Sequence, residues 1–163
     1  MSQARVRSGV LRTVDEISDL DKRIIEHLQE DGRRPFTQIA AELGVSEAAV
    51  RARTNRMVER GILQIVGVTD PLKLGFHQQA LIGIRCERDM LIEVAEAVAD
   101  FPEVDYVVIT AGTYDLLIET VCEDNNALLM FLAERLRKIE GIRETETFVY
   151  LRLVKQTYQY GTR

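Results

Sequence analysis

The sequence predicts an α+β protein with an N-terminal helix-turn-helix domain, winged-helix-like in outline, and a C-terminal ferredoxin-like βαββαβ domain. Two observations predict this. In the first third of the chain, apolar residues recur at helical spacing in three runs separated by glycines. From Ala80 onwards, strand-like alternation and helical spacing follow each other in the order β-α-β-β-α-β. The length of 163 residues suffices for two small domains, and a composition of 46% hydrophobic and 29% charged residues is typical of a globular protein.

The first helix is expected to begin after Ser18. A serine three residues before an acid, here Asp21, forms a capping box that satisfies two backbone groups at a helix start. Gly32 is the predicted end of this helix. Its predicted apolar face comprises Leu20, Ile24, Ile25 and Leu28.

The second and third helices have their own start and stop signals. Thr37 and Ser46 are the predicted N-terminal caps, and Gly44 and Gly61 are the predicted ends. The predicted apolar runs are Ile39, Ala40 and Leu43 in the second helix, and Val50, Thr54, Met57 and Val58 in the third. In the third helix, Val50, Thr54 and Met57 are predicted to face inward.

The join between these two helices has the spacing of a helix-turn-helix. A small residue at Ala40 permits a close crossing, Gly44 suits a left-handed turn, and Val50 fills the corner between the helices. On these three positions alone, a plain three-helix bundle is the alternative.

The outward face of the third helix is predicted to bind DNA. Residues 46–60 hold four arginines against Glu47 and Glu59. Arginine forks suit phosphates and guanine edges, and short alanines let a helix approach the major groove. The alternative is a solvated charged face, and for Arg33 and Arg34 phosphate contact and simple solvation are equally expected. The predicted DNA contacts are Thr37, Ser46, Glu47, Ala48, Arg51, Ala52, Arg53, Asn55 and Arg56.

The charge distribution is uneven along the chain. The net charge is −5, yet residues 1–61 hold 11 basic against 10 acidic side chains, whereas residues 62–163 hold 10 against 16. An acidic protein binds nucleic acid when its positive charge is local, and the first third is where that charge lies.

Residues 62–69 are predicted to form a strand that Asp70-Pro71 ends. Because one strand is not stable alone, we expect it to pair with a partner strand, such as one from a second subunit. The predicted divisions are an arm at 1–17, the helix-turn-helix domain at 18–63, a linking strand and hinge at 64–77, the second domain at 78–157 and a tail at 158–163.

The second domain is predicted from alternating strand and helix patterns. Two of its strands meet at Gly112-Thr113, as in a hairpin with a tight turn. The helix after this hairpin is capped by Asp124 or Asn125 and ended by Gly141. The other predicted elements are strands at 80–86, 104–111, 114–122 and 142–154, and a helix at 91–101.

The last predicted strand is apolar on both of its faces. Helices cover only one face of a ferredoxin-like sheet, so an apolar second face indicates burial by another subunit. A homodimer formed through the sheets is therefore expected. The alternating sets are Val149, Leu151 and Leu153 on one face, and Phe148, Tyr150 and Val154 on the other.

A specific order of short stretches runs along the chain: Leu20-Asp21, Asp31-Gly32-Arg33, Ile39-Ala40, Gly44-Val45-Ser46, Gly61-Ile62-Leu63, Leu74-Gly75, Gly112-Thr113-Tyr114-Asp115 and Val154-Lys155-Gln156-Thr157. Over about residues 18–157 this order resembles the Lrp/AsnC regulators, also called feast/famine regulatory proteins. The resemblance implies a bacterial or archaeal transcription factor that binds double-stranded DNA and assembles from dimers to tetramers or octamers. It further implies a C-terminal domain, called RAM, that senses an amino acid or a related small molecule.

The resemblance places an effector pocket between dimers, near the central hairpin and the last strand. There, Asp115 is suited to pair with an ammonium group, while hairpin N–H groups and threonine hydroxyls are suited to a carboxylate. Tyr114 adds apolar surface. The alternative is that Tyr114 packs against a helix and Asp115 satisfies its own turn. The implied effector residues are Thr110, Ala111, Gly112, Thr113, Tyr114, Asp115, Thr145 and Thr147.

No cofactor, metal site or catalytic residue is expected. The two histidines, His27 and His77, lack the spacing of a metal site or a catalytic triad, which argues against a decarboxylase-like relative of the same architecture. Cys86 and Cys122 are expected to be buried thiols in a reducing, cytoplasmic setting, and no membrane span is expected. An architectural DNA-binding protein with little sequence preference remains the second interpretation.

Overall fold

The computed structural model describes residues 17–157 and Thr162. The described chain divides into a compact N-terminal unit that ends at Gly67 and a compact C-terminal unit spanning Val68–Gln156. The predicted arm, except Ile17, and most of the predicted tail lie outside the described residues.

Three helices form the N-terminal unit: α1 (Asp19–Glu30), α2 (Phe36–Leu43) and α3 (Glu47–Glu59). The capping box at the start of α1 is confirmed, since Ser18 and Asp21 each accept a hydrogen bond from the other residue's backbone N–H. Each pairing satisfies a donor that the helix itself leaves free.

The turn between α2 and α3 has the predicted helix-turn-helix form. Gly44 adopts the left-handed conformation with a φ of 69°, which a Cβ would penalise. Ser46 caps α3 by accepting a hydrogen bond from the N–H of Ala49. The predicted cap at Thr37 is wrong, because Pro35 precedes the helix and fixes its own φ at −60°, so α2 already begins at Phe36.

The core of the N-terminal unit consists of one apolar face from each helix. Val50, Thr54 and Met57 of α3 are buried as predicted, whereas Val58, which belongs to the same apolar run, is 45% exposed. Val58 lies next to the buried stripe but one position beyond it around the helix. The buried apolar residues are Ile24, Ile25, Leu28, Ile39, Ala40, Leu43, Val50 and Met57.

The strand predicted at residues 62–69 does not form within the single chain, and its pairing with a second subunit stays a prediction. This segment forms no ladder with any residue in 17–157, and Ile65, Val66 and Val68 are exposed. A strand requires a partner for its backbone groups, and the described chain offers none here. The N-terminal unit accordingly has no β-hairpin wing within its described residues.

Four antiparallel strands and two helical segments form the C-terminal unit, which confirms the α+β fold and the βαββαβ order. The strands lie in the order β2-β3-β1-β4. A short 3₁₀ turn at Pro71–Leu74 precedes them. The elements are β1 (Gln78–Cys86), α4 (Leu91–Ala99), β2 (Val104–Ile109), β3 (Leu116–Cys122), α5 (Asn125–Met130) and β4 (Ile142–Val149).

The helices cover one face of this sheet. Ile82 of β1 pairs with Ile118 of β3, and all alternate residues along these two strands are buried against α4 and α5. Cys86 and Cys122 belong to this set, so their predicted burial as free thiols is confirmed. The buried core is Ala80, Ile82, Ile84, Cys86, Val94, Val98, Leu116, Ile118, Cys122, Leu128, Phe131 and Leu136.

Three predicted boundaries in this unit are wrong. The hairpin is not tight: β2 ends at Ile109 and β3 begins at Leu116, and a hydrogen bond from Thr110 N–H to the carbonyl oxygen of Asp115 closes the loop between them. The last strand ends at Val149, opposite Ala80, and one further backbone hydrogen bond runs from Tyr150 N–H to the carbonyl oxygen of Gln79.

The second helical segment is also less regular than predicted. Asp124 caps α5 by accepting a hydrogen bond from Ala127 N–H at 2.8 Å, as one of the two predicted caps. The chain then passes through a wide π turn at Phe131–Arg135 and a tight 3₁₀ turn at Leu136–Lys138 before Gly141. One continuous helix was predicted here.

A buried hydroxyl in α3 offers a test of the N-terminal core. The Oγ1 atom of Thr54 has no hydrogen-bond partner among the described residues, although it is buried. Thr54→Val removes this unsatisfied group at nearly constant volume, so we expect the free energy of unfolding to rise by about 1 kcal/mol in chemical denaturation.

Thr120→Val is the matched control for this substitution. Thr120 is equally buried, but its hydroxyl donates to the carbonyl oxygen of Ala80 at 3.4 Å. We expect no gain from this change. A loss of stability on Thr54→Val would contradict the inward orientation of the hydroxyl.

Candidate nucleic-acid interface and hairpin site

The side of α3 opposite its buried stripe is open to solvent. Ala48, Arg51, Ala52 and Asn55 are exposed along this side, and Arg56 is exposed at its edge. Glu47, Ala48, Arg51, Ala52 and Asn55 line a shallow depression of about 510 Å³. We call this set together with Arg56 the α3 face. Its centre is occupied by methyl groups, so another surface can approach the helix backbone closely.

Arg51 is the arginine at the α2 side of the α3 face. Its Nη2 atom donates a hydrogen bond to Oε1 of Glu47, one turn earlier on the same helix. Its guanidinium also lies over the ring of Phe36, the first residue of α2, with 5.4 Å between Cζ and the ring centroid. Arg51 therefore has a defined direction while most of its donors remain free.

Arg53 points away from the α3 face towards α1. Its Nη1 atom donates to Oδ1 of Asp21 at 3.0 Å and to Oγ of Ser18 at 3.1 Å. Burial acts to raise the pKa of the Asp21 carboxyl, but the hydrogen bonds from Ser18 and Arg53 outweigh burial and lower that pKa below its usual value. Arg53 therefore holds α3 against the cap of α1.

The remaining predicted DNA contacts differ in whether their side chains already make hydrogen bonds within the protein. Within residues 17–157, the side chains of Asn55 and Arg56 make no hydrogen bond or ion pair. Thr37 is exposed on the first turn of α2. The hydroxyl of Ser46 is already used as the cap of α3.

The two arginines between α1 and α2 have different surroundings. Arg34 lies among His27 and Glu30 of α1 and Glu42 of α2, and donates to Glu30 at 3.2 Å. Arg33 is exposed, and its side chain makes no ion pair in the described part of the chain. Arg34 thus ties two helices together, while Arg33 remains available to solvent.

In the C-terminal unit, the loop Thr110–Asp115 lies at the end of the sheet. The ring of Tyr114 packs flat on Gly83 of β1, where an added Cβ would lie 2.6 Å from the ring carbons Cγ and Cδ2. Phe148 of β4 meets the same ring edge-on at 6.4 Å, and the Arg85 guanidinium lies 5.6 Å from its centroid. Tyr114 therefore packs on the sheet face that the helices leave open.

Asp115 serves the backbone of β1. Its Oδ2 atom accepts a hydrogen bond of 2.8 Å from the N–H of Cys86, at the irregularity in the β1–β4 register. Burial raises the pKa of the Cys86 thiol, and the Asp115 carboxylate raises it further. The turn interpretation of Asp115 is close to what is observed, except that the satisfied group belongs to a neighbouring strand.

The two threonines of β4 do not share a face with Tyr114. Thr145 and Thr147 pair with Ile84 and Ile82, which face the helices, whereas Tyr114 packs on the opposite face at Gly83. Within one chain, the implied effector residues are thus divided between the two sides of the sheet.

The sheet face opposite the helices, which we call the open face, is substantially apolar. Tyr106 is 54% exposed and Phe148 is 44% exposed on this face. Burial and the neighbouring Glu119 carboxylate raise the pKa of the Tyr150 hydroxyl to about 12, so this phenol stays protonated and donates to Glu119. Its apolar residues are Leu81, Tyr106, Val108, Tyr114, Leu117, Val121 and Phe148.

Sequence reasoning missed three residues that shape these sites. A glycine in the middle of a strand signals a close approach, so Gly83 carried a readable signal. Phe36 and Arg85 gave none, because their contacts with Arg51 and with the loop at Thr113 come from distant parts of the chain. Neither a cluster suited to a metal ion nor a helix long and apolar enough to cross a membrane occurs in the part of the chain described.

The packing of Tyr114 on Gly83 can be tested by substitution. Gly83→Ala forces the ring off the sheet, so we expect a loss of about 1–3 kcal/mol in the free energy of unfolding. In a Tyr114→Ala background the same change should cost little, because the colliding ring is absent.

Gly112→Ala is the control for a glycine change in the same unit. A Cβ at Gly112 meets no atom within 4 Å, and its φ is not positive, so we expect a nearly neutral effect. Equal losses from Gly83→Ala in both backgrounds, measured by denaturant titration, would contradict the contact.

Comparison with known proteins follows the same division of the chain. Residues 17–58 match the model of the AsnC-type helix-turn-helix domain, and residues 79–160 match that of the Lrp/AsnC ligand binding domain.

Relatives match along almost their whole length. An uncharacterized HTH-type transcriptional regulator of Pyrococcus furiosus is 38% identical, over 87% of this chain and 97% of that protein. LrpA of Pyrococcus horikoshii, also an HTH-type transcriptional regulator, is 31% identical over 85% and 99%. The structure of Escherichia coli AsnC superposes with a TM-score of 0.78 at 26% identity, covering 86% of this chain and 96% of that one. The two domains of the present chain thus match the two family domains in the same order. The protein belongs to the Lrp/AsnC family of transcriptional regulators.

Proposed function

We propose that the protein reads a specific double-stranded DNA sequence with the α3 face and that a small molecule bound by the C-terminal unit modulates this binding. The composition and position of the α3 face support this proposal. It follows a helix-turn-helix turn and presents alanines at its centre with Arg51 and Arg56 at its two edges. A helix of this kind fits the major groove, where arginine recognises guanine and phosphate.

The predicted DNA contacts fall into two groups, according to whether their hydrogen-bonding groups are free or already bonded within the unit. Arg51, Asn55 and Arg56 have donors available for base edges or phosphates, and Ala48 and Ala52 permit close approach. Arg33 is exposed just before α2 and Thr37 is exposed in its first turn, so both suit backbone phosphates. Arg53 and Ser46 support this surface from within the unit and do not read bases.

The protein is proposed to act as a homodimer that assembles further. The open face exposes aromatic and aliphatic side chains that a second copy would cover. Residues 64–69, whose backbone makes no hydrogen bond within residues 17–157, would pair with a strand of the second copy. Two-fold symmetry would then present two copies of α3 to a roughly palindromic site.

The effector is proposed to be an amino acid or a related metabolite held at the Thr110–Asp115 loop. The N–H groups of Ala111, Gly112 and Thr113 have no hydrogen-bond partner among the described residues, so they suit a carboxylate. One oxygen of Asp115 is engaged by Cys86, which leaves the other for an ammonium group. A feast or famine regulatory protein of Mycobacterium tuberculosis with the same fold has been solved with L-methionine.

Modulation requires that the effector prefer one assembly over another. An effector that stabilises one arrangement of dimers would change the spacing of the α3 faces and hence the affinity for DNA. Because the loop packs on the open face through Tyr114, dimer contacts and effector contacts would share side chains.

DNA reading is tested by selecting preferred sequences from a pool of random duplexes with the wild-type chain. Arg51→Ala or Arg56→Ala should then weaken binding to the selected duplex by about 1–3 kcal/mol in a gel-shift titration without unfolding the protein. Arg137→Ala is the control, since it removes the same charge from an exposed position of the C-terminal unit.

Two outcomes would contradict the DNA-reading proposal. Unchanged affinity of both α3 variants would exclude the α3 face as the reading surface. A pool that yields no preferred sequence would instead favour an architectural DNA-binding protein.

The effector proposal is tested by thermal shift with a panel of amino acids. Asp115→Asn keeps an oxygen that accepts from the Cys86 N–H but removes the charge, so we expect it to abolish the shift given by the effective amino acid. Asp89→Asn, an exposed change in the same unit, should preserve the shift. A shift that survives Asp115→Asn would remove Asp115 from the site.

A further inference from the structure

The guanidinium of Arg51 contacts side chains of two helices, Glu47 of its own helix α3 and Phe36 of α2. Nη2 donates to Oε1 of Glu47, and the ring of Phe36 lies 5.4 Å from Cζ. Phe36 is itself fixed, because it is half-buried against the core of the N-terminal unit. Glu47 and Phe36 thus contact the same guanidinium from different elements.

None of the other arginines of α3 has this combination of support and freedom. Arg53 is bound to Asp21 and Ser18, and its side chain is only 31% exposed. Arg56, five residues after Arg51, lies about 140° further around the helix and has no partner within residues 17–157. Arg51 remains 59% exposed while both of its supports are in place.

Support of this kind matters for reading a base. A free arginine loses much of its rotamer freedom when it is fixed on a base edge. Restricting it beforehand reduces that loss, provided that donors remain for the base. The bond to Glu47 occupies one of five N–H donors, so a fork for O6 and N7 of guanine is still available.

We propose that Phe36 is a positioning residue that orients Arg51 to read a guanine in the major groove, with Glu47 as the second support. Phe36 itself touches no base. This inference rests on the proposed DNA reading by the α3 face and assigns the base-reading role within it. Arg51 specifies a base, and Arg53 holds the helix in place.

The test uses the duplex selected by the wild-type chain and a set of duplexes in which each base pair is changed in turn. Phe36→Leu preserves apolar packing but removes the aromatic face. We expect about two- to fivefold weaker binding to the selected duplex and a flattened preference at one G·C pair. Binding to an unrelated duplex and the dependence of affinity on salt should not change, because no charge is lost.

A double-mutant cycle separates positioning from simple packing. In an Arg51→Ala background, Phe36→Leu should cause no further loss, because the side chain that it orients is absent. Phe36→Tyr should instead retain the wild-type affinity and the preference at the same pair, since the phenol ring keeps an aromatic face.

Equal losses from Phe36→Leu in both backgrounds would overturn the inference, as would a loss of the same size on selected and unrelated duplexes. Either result would mean that Phe36 acts through the packing of α2. A wild-type chain that selects no sequence would overturn the proposed DNA reading and this inference together. A chain that selects a sequence but gives an additive cycle would overturn this inference alone.

Discussion

The burial of one stripe of α3 is the interaction on which the rest of the DNA-binding unit depends. Val50 and Met57 pack into the core from successive turns of the helix, which directs the opposite side outward. Gly44 makes this packing possible by reversing the chain within a few residues. The hydrogen bond from Arg53 to Asp21 of α1 also fixes the orientation of α3. The side of α3 that carries the exposed arginines is therefore directed to solvent.

The C-terminal unit applies a comparable constraint to its loop. Gly83 leaves room for the ring of Tyr114, and Asp115 bonds the N–H of Cys86, so both ends of the conspicuous Tyr114-Asp115 pair are anchored on β1. The family resemblance implied a ligand contact for this pair, with a structural role as the alternative. The observed contacts give the pair a structural role first and leave the loop tip from Ala111 to Thr113 as the exposed part.

The elements that sequence predicted well are those specified by local signals. Ser18 and Ser46 mark helix starts by hydrogen bonds within three residues, and periodicity then identifies the buried faces. What failed depended on distant partners. The segment at 62–69 has strand-like composition but no partner strand within residues 17–157, and β4 ends at Val149 rather than at the predicted residue 154. Periodicity likewise shows that an arginine faces outward but not that an acid on another helix binds it, as with Arg53.

In the proposed complex, α3 enters the major groove with its arginine-bearing face towards the bases. The most direct measurement is methylation interference on the selected duplex, because N7 of guanine is a major-groove atom. We expect methylation of guanines to block binding at two symmetric positions, one in each half-site. Undiminished binding to duplexes methylated at every guanine N7, with interference only at adenine N3 in the minor groove, would contradict it.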